Sequence, residues 1–148
     1  MPGKVEIKEI PAALTWQIRH EVMWADKPLC FVQLPDDATG THFGVFVDQE
    51  LVSVISLFIK EQQAQFRKFA TRPAFQGQGL GRMVLEHVFT FASARQVACV
   101  WCHARTSALG FYLKSGLQPV GEPFQKNGVD YVRMERNFPG SIMKQPGS

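Results

Sequence analysis

The chain has 148 residues, of which 45% are apolar, 20% charged and 11% aromatic, the composition of one compact globular domain and not of a disordered chain. Sixteen Lys and Arg against thirteen Asp and Glu leave a formal charge of +3, too small a surplus for a nucleic-acid track without a concentrated basic stripe. Three cysteines cannot all pair with one another, so reduced thiols are expected.

The opening MPGKVEIKEI alternates Val5, Ile7 and Ile10 with Lys and Glu, which predicts a short strand over Val5–Ile10 and not the apolar run of a signal peptide. A cytoplasmic location is therefore expected. Pro11 opens a helix running to Trp24, in which Leu14, Ile18, Val22 and Met23 share a face. Pro28 and the stretch from Pro35 to Gly40 form a turn-rich connection. In THFGVFV, Phe43, Val45 and Val47 alternate as on a half-buried strand, and Asp48 to Glu50 turn into another strand, Leu51 to Lys60. Its apolar part, Leu51 to Ile59, is interrupted by Ser53 and Ser56 and reaches about half of the ~18 residues a membrane span needs, so no membrane partner is expected. A polar turn at Glu61 to Gln63 leads into Ala64 to Thr71 and completes an antiparallel meander.

Pro73 ends that pairing. After a glycine-rich turn, Leu80, Val84, Leu85, Val88, Phe89 and Ala92 recur with helical period, and Arg95 and Gln96 close the helix. Val97 to Cys102 reads as a buried strand reached through that helix, the crossover a parallel pair requires. Cys99 and Cys102 form a CxxC, but with no second CxxC or His pair at zinc spacing they read as ordinary strand cysteines, and no metal is expected. Thr106 or Ser107 caps a further helix to Lys114, its end marked by Gly116, and YVRMER supplies a last strand. The order β, α, β, β, β, α, β, α, β predicts one α/β (α+β) domain over residues 1–138 with a central mixed, twisted sheet flanked by helices. Residues 139–148, opening on Pro139, read as a flexible tail.

The chemistry concentrates at Gln76-Gly77-Gln78-Gly79-Leu80-Gly81, between a strand and a helix start. A helix begins with about four backbone N–H groups lacking an intrahelical partner, and its dipole adds partial positive charge there. Such a junction suits a phosphate or pyrophosphate, and glycine lets the ligand approach the backbone. A P-loop is excluded because Arg82 and Met83 follow Gly81, and the glycine spacing GxGxG is not the GxGxxG of a dinucleotide fold.

The string FRKFATRPAFQGQGLGRMVLEHV resembles the acetyl-CoA-binding motif of the GNAT superfamily of N-acetyltransferases, Gln/Arg-x-x-Gly-x-Gly/Ala, with Gln76, Gly79 and Gly81 at its defined positions. ALGFYLKSGLQPVG is similar to the family's second segment, A-x-x-F-Y-x-x-x-G-F, with Leu117 in place of the final Phe. The likeness covers about residues 43 to 135 well and the first 40 weakly. It implies a GNAT-like acyl-CoA N-acyltransferase fold and an acetyl-CoA-dependent N-acetyltransferase acting on a primary amine by direct attack in a ternary complex. The alternative is a non-catalytic acyl-CoA sensor or interaction module.

Carried over by position, the resemblance lays the pantetheine arm along Phe69, Ala70 and Thr71. It sets the pyrophosphate on the backbone of Gln76, Gly77, Gln78, Gly79, Leu80, Gly81 and Arg82, with Arg82 and Arg72 as added cations. Arg105 stands where many members carry Asn, and with Ala108 and Phe111 it belongs to the implied coenzyme surface. Tyr112 matches the tyrosine that protonates the leaving thiolate, for which a phenol near pKa ~10 is well matched. Ala64 to Thr71 contains no carboxylate, so His103, expected just past the fifth strand, is the candidate base, with His20 and Glu21 as alternatives. Trp16, Trp24 and Phe31 are candidates for the acceptor wall. The implied partners are acetyl-CoA and a small-molecule or peptide amine, with no nucleic acid; sheet edges permit a homodimer without requiring one.

Overall fold

A computed structural model describes residues 3–138; the proposed tail at 139–148 lies outside them. The strands are β1 (Val5–Ile10), β2 (Thr41–Val47), β3 (Glu50–Lys60), β4 (Gln63–Thr71), β5 (Cys99–Arg105), β6 (Gln118–Lys126) and β7 (Val129–Asn137). The helices are α1 (Ala13–Met23), α2 (Leu80–Ala94) and α3 (Leu109–Lys114). The strands form one seven-stranded sheet in the order β1-β2-β3-β4-β5-β7-β6. The β4–β5 pair is parallel and the registered neighbours β1–β2, β2–β3, β5–β7 and β6–β7 are antiparallel, the mixed sheet that the strand–helix–strand crossover demands. Contacts divide the chain into two compact units, residues up to Phe58 with Phe66–Val88, and Ile59–Gln65 with the residues from Phe89 onward.

In the first unit, β2 and β3 turn at Asp48 and Gln49, both left-handed at φ 49 and 72, the geometry of a type I′ hairpin. His42 to Val45 and Val52 to Leu57 are buried without alternation. β2 is thus covered on both faces along its middle, a correction to the half-buried strand expected from Phe43, Val45 and Val47. On α1 the expected apolar face holds only partly. Ile18 is buried and packs with Ile10, Val54 and Ala70, beside the partly buried Val22 and Met23, whereas Leu14 is 49% exposed. Thr15 and Arg19 occupy the buried side in its place.

In the second unit, β5 and β7 direct Val100, Cys102, Ala104, Val132 and Met134 to a buried face. β6 was not expected at all. It pairs with β7 from Gln118↔Glu135 to Lys126↔Val129, with a bulge between Val120 and Phe124. Two further boundaries differ from the sequence reading. β5 extends to Arg105, so His103 lies within the strand and not past it. α3 begins at Leu109 after a 3-10 turn at Thr106–Ala108, and its N-cap, Ala108, makes no side-chain hydrogen bond, so neither Thr106 nor Ser107 caps it.

Candidate functional site

The end of β4 is held on one side by β3. Ser53 Oγ donates to Ala70 C=O (3.0 Å) and bonds Thr71 Oγ1 (2.8 Å), and Arg72 N–H donates to Val52 C=O (2.9 Å). Within β4, Lys68 adopts φ 55, a left-handed conformation that interrupts the two-residue alternation immediately ahead of Phe69. Ala70 is buried, while Phe69 and Thr71 are partly exposed. Arg72, read as a phosphate cation, reaches Glu21 (3.3 Å) and Glu50 (3.2 Å) instead. Both pairs are partly exposed, and such pairs are worth at most about 1 kcal/mol.

After a 3-10 turn at Pro73–Phe75, the Gln76 side chain donates to Thr71 C=O (2.8 Å) and the Gln78 side chain to Ala74 C=O (3.2 Å). These bonds brace the turn with side-chain donors. Gly77 and Gly79 sit at φ 75 and 82, and a Cβ placed on either would meet nothing within 4 Å. Gly79 is thus favoured by its left-handed conformation and not by internal packing, and the space above it is open. Met83 N–H donates to Gly79 C=O (3.1 Å), so the amides of Leu80, Gly81 and Arg82 form the first turn of α2 and have no intrahelical acceptor. Leu80 is buried, Gly81 partly so, and the Arg82 side chain is exposed.

The remaining candidates lie in the second unit. Arg105 ends β5, Ala108 precedes α3, and Phe111 and Tyr112 sit on α3 with their rings edge-to-face at 5.2 Å. A six-residue helix without a capping side chain depends on its surroundings for its position. Here Leu117 N–H donates to Tyr112 C=O (3.1 Å), Ser115 Oγ to Phe111 C=O (3.2 Å) and Arg136 to Ser115 C=O (3.2 Å). The Tyr112 ring is partly exposed, but burial around its hydroxyl raises its pKa, with the Arg105 guanidinium opposing. The phenol is therefore held protonated, the state of a proton donor. Burial likewise pushes the Cys102 thiol up to about 12, which removes it as a nucleophile at neutral pH.

His103 is exposed, its ring edge-to-face with Trp101 (5.2 Å) and Phe124 (4.9 Å). Of the alternative bases, Glu21 pairs with Arg72 and accepts from Gln17 (3.0 Å), and His20 Nε2 bonds Lys27 C=O. Trp16 Nε1–H donates to Asp37 (3.0 Å), and Trp24 meets Phe31 edge-to-face at 5.1 Å. Two features escaped the sequence reading: the buried Arg19–Asp37 pair and the aromatic flanks of His103. The second was open to inspection as the period-two series Trp101, His103, Arg105 and Tyr131, Arg133, Glu135. Among the described residues no group of three or more His, Cys, Asp or Glu is placed to hold a metal, and no helix is long and apolar enough to cross a membrane.

A family model described as an acetyltransferase (GNAT) domain matches residues 32–138. YitI, an uncharacterized N-acetyltransferase of Bacillus subtilis, is 30% identical over 134 residues, 84% of this chain and 90% of that protein. Among solved structures, Escherichia coli ElaA superposes with a TM-score of 0.79 at 17% identity, covering 90% of this chain and 100% of that one. A GNAT family acetyltransferase of Elizabethkingia anophelis with acetyl-CoA bound gives 0.71 at 18% identity, covering 90% and 98%.

Proposed function

The chain belongs to the GNAT acetyltransferase family, and from that premise we propose that it moves the acetyl group of acetyl-CoA directly to a primary amine, with the pantetheine arm along Phe69–Thr71 and the pyrophosphate on the turn from Gln76 to Arg82. The observation that carries this reading is the turn itself: two left-handed glycines with nothing above their Cα atoms, opening directly into the first amides of a fifteen-residue helix. Unshielded N–H groups at a helix start favour a diphosphate through both hydrogen bonding and the helix dipole. Arg82 adds an exposed positive charge on the same turn.

In the reaction the neutral amine attacks the thioester carbonyl, a C–N bond forms, and the C–S bond breaks. A backbone N–H of β4 near Ala70 polarises the carbonyl. Tyr112 gives its phenolic proton to the departing sulfur, and burial keeps that proton on the phenol until the thiolate forms. His103 accepts the proton lost from the nitrogen. The elevated Cys102 and Cys99 thiols favour direct transfer over an acyl-cysteine intermediate.

The test is thiol release from acetyl-CoA over a panel of amines, scored beside acetyl-CoA binding. Tyr112→Phe is expected to lower kcat by about a hundredfold with acetyl-CoA affinity nearly unchanged. Unaltered turnover in that variant removes Tyr112 from the mechanism, and saturable acetyl-CoA binding without thiol release across the panel makes the chain a binding module.

A further inference from the structure

One face of the β5–β7–β6 ribbon is built from rings and guanidinium groups with no part in the core. Register places Trp101 opposite Glu135, His103 opposite Arg133 and Arg105 opposite Tyr131, with Phe124 of β6 opposite Tyr131. The side chains form a continuous ladder. Arg133 lies over Trp101 (3.9 Å), Trp101 meets His103 edge-to-face (5.2 Å), His103 meets Phe124 (4.9 Å), and Phe124 stacks on Tyr131 at 5.8 Å and 23°. Phe124 remains 37% exposed on a strand whose residues are all exposed. An edge strand gains little stability from an aromatic ring left in water, so the ring pattern is not explained by the core.

We propose that this ladder is the acceptor platform, and that the acceptor is an amine attached to a flat aromatic body, an arylalkylamine, stacked against Phe124 and Tyr131 with its nitrogen at His103. The inference rests on the N-acetyltransferase reading above and names its substrate class. Stacked and edge-to-face rings offer both a π face and ring edges to a planar guest, a geometry that a saturated body of equal bulk cannot match. Charge points the same way. Across the three rows the face carries Arg105 and Arg133 against Glu135 alone, and Glu135 is engaged by Arg133 at 2.8 Å. A polycationic acceptor meets that positive surplus with every one of its charges, while an aromatic body bearing one amine meets it with a single charge. By register the ladder's last row is Arg105 opposite Tyr131, and the Arg105 charge is felt at the Tyr112 hydroxyl.

The test compares 2-phenylethylamine, 2-cyclohexylethylamine and spermidine as acceptors for the wild type, Phe124→Leu and Tyr131→Leu, with thermal melts confirming that each variant folds. The wild type is expected to favour the phenyl over the cyclohexyl amine by about tenfold in kcat/KM and to use spermidine least. Each Leu variant should bring the phenyl-to-cyclohexyl ratio toward one without weakening acetyl-CoA binding. Turnover with no preference between the two rings, or a preference that survives both variants, overturns the platform and leaves the acetyltransferase reading standing. If no amine releases thiol, that reading fails, and direct binding of 2-phenylethylamine by NMR line broadening decides the platform separately. Saturable binding weakened in Phe124→Leu upholds it, and absence of binding to the wild type overturns it.

Discussion

Arg19 is fully buried, yet it carries a positive charge, which is tolerable only where its donors and its charge are both met. Its guanidinium donates to Val32 C=O (2.8 Å), to both oxygens of Asp37 (2.9 and 3.0 Å) and to Ser56 Oγ (2.8 Å), leaving Nε without a hydrogen-bond partner among the described residues. His42 Nε2 faces Asp37 C=O (2.9 Å) and must donate, because a carbonyl only accepts, so in the neutral ring Nδ1 accepts from the Ser56 hydroxyl (2.7 Å). The cluster ties α1 to the connection between α1 and β2, the stretch expected to wall the acceptor. Burial alone raises the Asp37 carboxyl, but Arg19 and the N–H groups of Leu34 and Trp16 outweigh it and bring it down to about 2 from 3.8. The stabilisation is therefore complete above pH 4 and is lost as pH falls toward 2, a contribution on the order of 2 kcal/mol. Urea melts between pH 2 and 5 should show the gap between wild type and Asp37→Asn narrowing by about 2 kcal/mol as pH falls through that window. At pH 7 the variant is expected to lose about 3–5 kcal/mol, because Arg19 then stays buried with an uncompensated charge. A gap independent of pH would mean that Asp37 acts through shape and not through its ionised carboxylate.

The glycine turn is the element in which local conformation and chemistry coincide. Alanine at Gly79 meets no atom, but it must hold φ 82, which costs a residue with a Cβ about 1–2 kcal/mol. It also plants a methyl in the proposed diphosphate site. Gly79→Ala is expected to weaken acetyl-CoA at least tenfold by isothermal titration, whereas Gly110→Ala, inside α3 with open space around it, should raise stability by up to about 1 kcal/mol. Equal acetyl-CoA affinity in Gly79→Ala and wild type would detach the turn from coenzyme binding. Gly79 was readable in the sequence because a left-handed turn between a strand and a helix admits few other residues. The meander and α2 were readable for a related reason, since each must bury a periodic face. β6 was hidden because Pro119, Gly121 and Pro123 are turn formers, and an edge strand whose side chains all face water needs no apolar alternation. The pairing of Arg19 with Asp37 was equally hidden. Two charges eighteen positions apart read as solvated until the fold removes their water.

At the scale of the whole chain, the +3 charge says little about the acceptor: internal ion pairs cancel charges of both signs equally and leave that surplus unchanged. Arg19, Arg72 and Arg133 each face a carboxylate within 3.3 Å, while Arg82 stays exposed on the glycine turn. The proposed diphosphate site places an exposed cation on that turn, and this has a measurable signature. Acetyl-CoA that binds only the folded chain stabilises it by about 2.7 kcal/mol at a hundredfold excess over Kd, a rise in Tm of about 5–10 °C for a chain of this size. Because Arg82 is solvent-exposed, raising sodium chloride from 0.05 to 0.5 M should shrink that rise by weakening Kd several-fold, in line with a Debye length that falls from about 14 to 4 Å. The comparison that isolates the turn is Arg82→Gln, which should lower the coenzyme-induced shift at low salt and blunt its salt dependence, with the melting point of the unliganded chain unchanged. A shift equally salt-sensitive in wild type and Arg82→Gln would instead assign the attraction to cations elsewhere on the chain.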